Sequence, residues 1–597
     1  MQSLTRSYLP MNHPAGFGAS DSLLFALAVL FCLLVFSAAW LEMPLRRFAN
    51  KRGWCLLLLA CLPVLLRLAL LRHHPAPTPN TADDYSYLLL ADTLAHFRFA
   101  NVTHPMHRFF EAVFVLQQPS YSSIFPLGQG MVLAAGQVIF RNAWAGVVLS
   151  LGTFCALSYW MLRAWVTPFW ALVGAMLGVC EFGPLGSWMN SYWGGAVSAI
   201  AGCLTFGAMV RLRQGARRRD AALLGLGFGI EVLTRPFEAT LLALCVLLYF
   251  APLLRRRAEW PRVAVLSALV VAIMIPAFAL TLAHNRAVSG SWTTLPYSVS
   301  QFQYGVPTTF TFQPSPTPHR DLTREQDLDY HAQRAVHGDQ PETPRSYLER
   351  LAYRLRFYRF FFYAPLFLAL PAFLWALKEA RYRWVVMWVL IFLLGTNFYP
   401  YFYPHYVAPL TCLFLLISVV GLERLSKWRI RGTAAGREMA RAILFLCAAQ
   451  FVFWYSLHLS YNPELLAALG RYETWDFINY GDPDGRIAVT GQLAAESGKQ
   501  LVFVRYSPRH LFDEWIHNGA DIDASPVIFA ADRSEDNVSL RKYYPDRKAW
   551  ILEPDARPPH LSPYPEPEET PPPAPPPPAS AKPRIIRIDP KLLETVH

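Results

Sequence analysis

The sequence predicts a mainly α-helical, polytopic membrane protein of about 12–14 spans, followed by a small extracytoplasmic α/β domain. Three observations lead there. Of 597 residues, 53% are hydrophobic and 16% charged, against roughly 25% charged in a soluble domain. Apolar segments near the ~20-residue spanning length recur from Asp21 to about Ser460. Beyond residue 461 the composition turns mixed, with strand-like LVFVRY (501–506), SPVIFAA (525–531) and KAWILEP (548–554).

The apolar segments run over 21–40, 54–71, 127–140, 143–162, 166–180, 196–210, 220–234, 238–252, 263–283, 358–376, 384–400, 405–422 and 442–460. The chain divides into an N-terminal segment (1–20), a membrane domain (21–460) with external loops 72–125 and 284–357, a soluble domain (461–556) and a proline-rich tail (557–597). The first apolar segment reads as a retained span: it lacks a strong basic cluster before it, and no small-residue cleavage pattern follows Trp40. The net charge of +12 comes from cations concentrated at the ends of apolar segments, which report topology and not a nucleic-acid partner. Of the nine cysteines, most fall inside apolar segments without CxxC spacing, which indicates neither disulfides nor zinc.

Basic clusters at Arg46 to Arg52, Arg211 to Arg219, Arg255 to Arg262, Lys378 to Arg383 and Arg424 to Arg441 mark the cytoplasmic loops. Even numbers of segments separate the later clusters, as return to one side requires. Between the outer loop 72–125 and Arg211 the count must be odd, yet four apolar pieces occur. The piece 164–182, glycine-rich with Pro168 and Pro184 at its edge, is expected to be the re-entrant or broken one.

The three strands of the soluble domain are separated by connections long enough for crossovers, so they are expected to be parallel. The tail contains PPPAPPPPA and reads as an extended spacer without a packed core.

Chemistry concentrates after the second span, in Asn80-Thr81-Ala82-Asp83-Asp84-Tyr85-Ser86-Tyr87. Adjacent carboxylates opening a helix serve either as a cap or as a proton-taking pair whose like charges split their titrations. The loop continues through His104, His107, Glu111 and Tyr121 to Phe125-Pro126-Leu127-Gly128. Thr234-Arg235-Pro236-Phe237-Glu238 and Tyr403-Pro404-His405-Tyr406-Val407-Ala408-Pro409 stand at the same predicted outer face.

An acidic pair in the first external loop, a juxtamembrane helical stretch and a Tyr/Pro/Gly lead-in to the next span resemble the membrane-embedded GT-C glycosyltransferases. Within that superfamily the chain is similar to the glycosyltransferase 39 (protein O-mannosyltransferase-like) and aminoarabinose-transferase-like group of bacterial inner-membrane enzymes, over about residues 50–460. The resemblance implies a GT-C-like fold and an enzyme that moves a hexosyl or pentosyl group from polyprenyl phosphate to a glycan, lipid or protein acceptor. It implies Asp83 or Asp84 as the base, Arg235 and His405 as donor-phosphate contacts, and Tyr85, His104, Glu111, Tyr121 and Tyr406 as supporting groups. The resemblance also leaves room for a divalent cation, Mg²⁺ or Mn²⁺, bridging Asp83 or Asp84 to the phosphate, since some GT-C enzymes use one and others do not. The same residues carry plainer readings: Arg235 snorkelling to the interface, His405 bonding a helix end, the loop residues merely filling the loop. Two other functions compete, a permease for a lipid or polysaccharide precursor and a non-catalytic envelope scaffold. No pair of interrupted spans in corresponding halves favours the permease. Loop 284–357 is expected to cover the acceptor entrance.

Overall fold

The computed structural model describes residues 39–460 except 216, 339 and 340, residues 482–565 except 483, 509, 511 and 512, and positions 462, 464 and 478. Most of the first apolar segment, most of the junction after 460 and the tail beyond 565 lie outside the described residues.

Among the described residues seven helices are long and apolar enough to cross a membrane: Arg52–Ala69, Ala143–Leu162, Ala196–Gly215, Pro236–Leu254, Arg257–Ser289, Pro404–Ser426 and Ala435–Ser460. Their length and composition make the chain a multi-pass membrane protein. Arg218–Thr234 and Ala380–Thr396 are a little shorter, at 17 residues each. Trp260–Ser289 exposes Val265, Val271, Ile275 and Phe278, as a lipid-facing helix does, whereas Pro404–Ser426 is almost wholly enclosed. The segment 358–376 is not one helix but three short pieces, Arg356–Phe361, Ala364–Leu368 and Leu370–Ala376. Pro365 and Pro371 each open a new piece, because proline lacks the N–H that would continue the ladder.

Side-chain contacts order the helices along their common axis. At the basic end Tyr159 Oη donates to Ala49 O (2.8 Å), Arg46 lies 4.2 Å over the Phe169 ring, and Arg211 donates to Trp160 O (2.6 Å). At the opposite end Trp144 Nε1 donates to Met189 O (2.8 Å) and Arg67 covers the Trp144 ring. Ala143–Leu162, Pro168–Phe182 and Ala196–Gly215 are therefore three successive traverses, and Pro168–Phe182 is unbroken. This corrects the expectation of a broken 164–182: Pro168 occupies the first helical turn, where its missing N–H costs nothing. The piece that does not traverse is Leu127–Phe140. It lies beside Ala82–Ala95, with Gln137 Nε2 donating to Asp92 Oδ1 (2.9 Å), and reverses at Arg141, which adopts a left-handed φ of 55°.

The C-terminal sheet has strand order Val527–Ala531, Lys499–Val504, Arg547–Glu553, His560–Pro563. The first three are parallel, Leu501 aligning with Ile528 and with Ala549. The fourth, antiparallel strand falls where an unpacked tail was expected; proline at the end of an edge strand leaves the ladder intact. Successive residues of the central strand face opposite sides. Leu501 and Phe503 join Leu89, Phe109, Phe110 and Tyr121 of the external loop in one apolar cluster, while Val502 and Val504 pack with Val489, Leu493 and Trp515 in another. The sheet is thus seated on the loop that follows the second span.

Candidate active site

The acidic helix Ala82–Ala95 opens at Thr81, an extended residue whose Oγ1 accepts the Asp84 N–H at 3.3 Å. Asp84 Oδ2 takes hydrogen bonds in return from Thr81 Oγ1 (3.1 Å) and the Asn80 N–H (3.5 Å), and Oδ1 accepts the Tyr192 N–H at 3.0 Å. Tyr192 is itself pinned, its Oη donating to Pro77 O and its carbonyl accepting from Gln129 Nε2. Asp84 is 4% exposed, and every one of these bonds is structural. Asp84→Ala is accordingly expected to cost about 1–3 kcal/mol by stranding buried donors, read as a lower midpoint of thermal unfolding, whereas Asp83→Ala leaves the midpoint unchanged.

Asp83 is the contrasting neighbour. Among the described residues its carboxylate accepts no hydrogen bond from another residue. Burial, with Asp84 and Asp329 nearby and Arg235 opposing, raises it to about 7. Tyr87, Tyr297 and Tyr401 lie within its electrostatic reach.

Arg235 stands between helices Arg218–Thr234 and Pro236–Leu254 with φ −146° and ψ 85°, pushed out of the helical region by the proline that follows. Its Nη1 donates to Glu238 Oε1 (3.4 Å), which also accepts from Tyr399 Oη (3.3 Å), and its guanidinium sits 5.0 Å from the Tyr406 ring centre. His405 is buried edge-on to Trp193 (centroids 4.8 Å apart) and stacked on Tyr403, within electrostatic reach of Arg235. Two close approaches place these turns. A Cβ on Gly128 would meet Thr234 Oγ1 at 2.2 Å, and one on Gly202 would meet Pro409 O at 1.9 Å. Only glycine lets helix Leu127–Phe140 reach the Arg235 turn, and helix Ala196–Gly215 reach the His405 turn, this closely.

Asp83, Arg235, His405 and Tyr406 therefore converge, but four residues expected beside them do not. Tyr85 Oη donates to Pro79 O and accepts from Arg486, and its ring stacks on His517. His104 bonds Tyr544 Oη (2.9 Å) and Asp523. Tyr121 Oη donates to Asn518 O (3.1 Å), and Glu111 pairs with Arg320 and Arg108. The first three fasten the C-terminal unit, and Glu111 fastens loop 284–357. Sequence reasoning missed Tyr87, Tyr297, Tyr399, Tyr401 and the bracing role of Glu238. The aromatic density of 397–406 was the available signal for two of them. Among the described residues no group of three or more His, Cys, Asp or Glu is placed to hold a metal ion. The Asp84 oxygens are engaged, so a Mg²⁺ or Mn²⁺ ion would be held through Asp83 and not through Asp84.

No family model matches the chain, and no curated protein matches it. Among solved structures it is similar to the crystal structure of ArnT from Cupriavidus metallidurans bound to undecaprenyl phosphate, at 12% identity and a TM-score of 0.49, covering 84% of this chain and 93% of that one. The apo state of ArnT matches with a TM-score of 0.46 at the same identity and coverage. The Archaeoglobus fulgidus oligosaccharyltransferase complex with Zn and sulfate matches at 11% identity and a TM-score of 0.43, over 83% of this chain and 67% of that one.

Proposed function

We propose that the chain is a GT-C-type glycosyltransferase of the bacterial inner membrane. It moves a hexosyl or pentosyl group from polyprenyl phosphate to an acceptor hydroxyl on the extracytoplasmic face. One observation carries the reading: a carboxylate, Asp83, that accepts no hydrogen bond from another described residue and lies within electrostatic reach of a guanidinium, Arg235, braced by Glu238 and Tyr406. By the positive-inside rule the basic end is the cytoplasmic one, which supports an extracytoplasmic position for this pair and for the C-terminal sheet.

The chemistry balances on these groups. A hydroxyl ionises far above pH 7, so Asp83 takes its proton as the oxygen bonds to the anomeric carbon. The bond from that carbon to the phosphate oxygen breaks, and its electron pair stays on the phosphate. The charge that develops there falls beside Arg235, with His405 as a second donor. Tyr297 and Tyr401 offer ring faces to the sugar.

Because Asp83 must be ionised to act and titrates near about 7, kcat/KM is expected to climb as pH rises through about 7 and to drop tenfold per unit well below it. A profile flat from about pH 5 to 9 would remove Asp83 as the base.

A further inference from the structure

A second carboxylate, Asp329, acts electrostatically on Asp83 and takes no part in the transfer chemistry. Asp329 lies on helix Arg324–His337, which starts at a capping box formed by Thr323 and Gln326. Asp329 Oδ2 accepts from Gln333 Nε2 (2.8 Å), and Gln333 Oε1 in turn accepts the Thr308 N–H (3.0 Å), so the side chain is held in place. Oδ1 has no hydrogen-bond partner among the described residues, although Asp329 is only 4% exposed. Buried acceptors are rarely left unmet, and a ligand is one source of the missing donor.

The neighbours of this helix place Asp329 across the mouth of the helical body. On one side, Phe310 packs on Phe237 (4.6 Å) and Tyr399 (5.4 Å), and Thr311 N–H donates to Phe398 O, over the Arg235 turn. On the other, Arg324 donates to Pro508 O of the C-terminal unit (3.1 Å). Asp329 acts electrostatically on Asp83 and Tyr401, and Glu514, bonded to Tyr506 Oη and the Val113 N–H, acts on Asp329. Outward from Asp83 the polar groups thus include two carboxylates, Asp329 and Glu514, and Tyr401. Arg235, a cation that acts on Asp83, is engaged with Glu238.

We propose that the space between Asp83 and Asp329 is the acceptor subsite, that it takes a neutral saccharide with Asp329 Oδ1 accepting from a hydroxyl beside the attacking one, and that it turns away phosphorylated acceptors. This rests on the glycosyl-transfer reading and names the acceptor's chemical class. A phosphate dianion brought among Asp83, Asp329 and Glu514 meets like charges, and the arginine that acts on Asp83, Arg235, is already engaged with Glu238. A neutral sugar supplies the hydroxyl donor that Oδ1 lacks and presents C–H faces to the tyrosine rings.

The test uses the full-length protein in nanodiscs and saturation-transfer NMR. Methyl α-D-mannopyranoside and methyl α-D-glucopyranoside are compared with mannose 6-phosphate and glucose 6-phosphate. The neutral glycosides are expected to bind, at least tenfold more weakly in Asp329→Asn, and the sugar phosphates are not. Asp329→Asn also removes a negative neighbour of Asp83, so the acid limb of the pH profile is expected to move to lower pH, which a merely structural role would not do. Sugar phosphates binding as well as the neutral glycosides, no glycoside binding, or unchanged binding in a folded Asp329→Asn each overturn the proposal. The wild-type comparison decides the charge preference even if the variant fails to fold. Binding of undecaprenyl phosphate to the same samples separates the two claims. If it is independent of Arg235, the transfer reading falls and takes this proposal with it. If it depends on Arg235 while the glycosides fail to bind, only the acceptor assignment falls.

Discussion

Asp83→Asn is expected to lower turnover by about 10²–10⁴-fold while leaving the protein folded and its affinity for polyprenyl phosphate unchanged. The carboxamide has nearly the same shape and cannot take a proton from a hydroxyl. The carboxylate it replaces holds no other residue by a hydrogen bond among the described residues, so little structure is lost. Asp84→Asn provides the internal contrast. Its carbonyl oxygen can still accept from Tyr192 N–H, so substantial turnover is retained. Turnover by the two variants therefore decides between adjacent carboxylates that share a helical turn. Equal loss in both would mean that the site depends on the capped helix as a whole and not on one free oxygen.

Arg235→Ala is expected to lower kcat by about 10²–10³-fold, the scale seen when one fixed donor is removed from a developing charge. Arg235→Lys is expected to recover little of it, because an ammonium cannot present two parallel donors to a phosphate. A second consequence has to be separated from the first. Glu238 is buried and pairs with Arg235, and stripping a buried ion of its partner costs about 3–5 kcal/mol. The double variant Arg235→Ala, Glu238→Gln removes both charges and is expected to regain thermal stability but not kcat. Recovery of kcat in the double variant would show that Arg235 serves only to neutralise Glu238.

The membrane class was legible because composition and segment length report directly on the solvent, and the central strands because apolar runs of strand length are bounded by polar segments. Segment 127–140 was misassigned because it is as apolar as a span. Its placement beside Ala82–Ala95 is a tertiary fact carried by contacts such as Gln137 to Asp92, 45 residues apart. The choice between Asp83 and Asp84 was hidden for the same reason. The acceptor-only role of Asp84 is completed by Tyr192, 108 positions away. Thr81 and Asp84 do have the spacing of a capping box, so half of that distinction was readable locally. His104 and Tyr121 drew attention as polar residues in the loop that carries the acidic pair; their work is to seat a domain that begins more than three hundred residues later. Asp329 had no signal at all, being one of many charges in the stretch from Arg320 to Arg350.

The most direct measurement follows both products of a single reaction. With a polyprenyl-phosphate-linked sugar as donor and the purified protein in lipid, mass spectrometry is expected to find free polyprenyl phosphate and glycosylated acceptor rising together in equal amounts, and neither with Asp83→Asn. Donor that crosses the bilayer intact without release of polyprenyl phosphate, or equal product from the Asp83→Asn variant, would contradict a glycosyltransferase centred on Asp83 and Arg235.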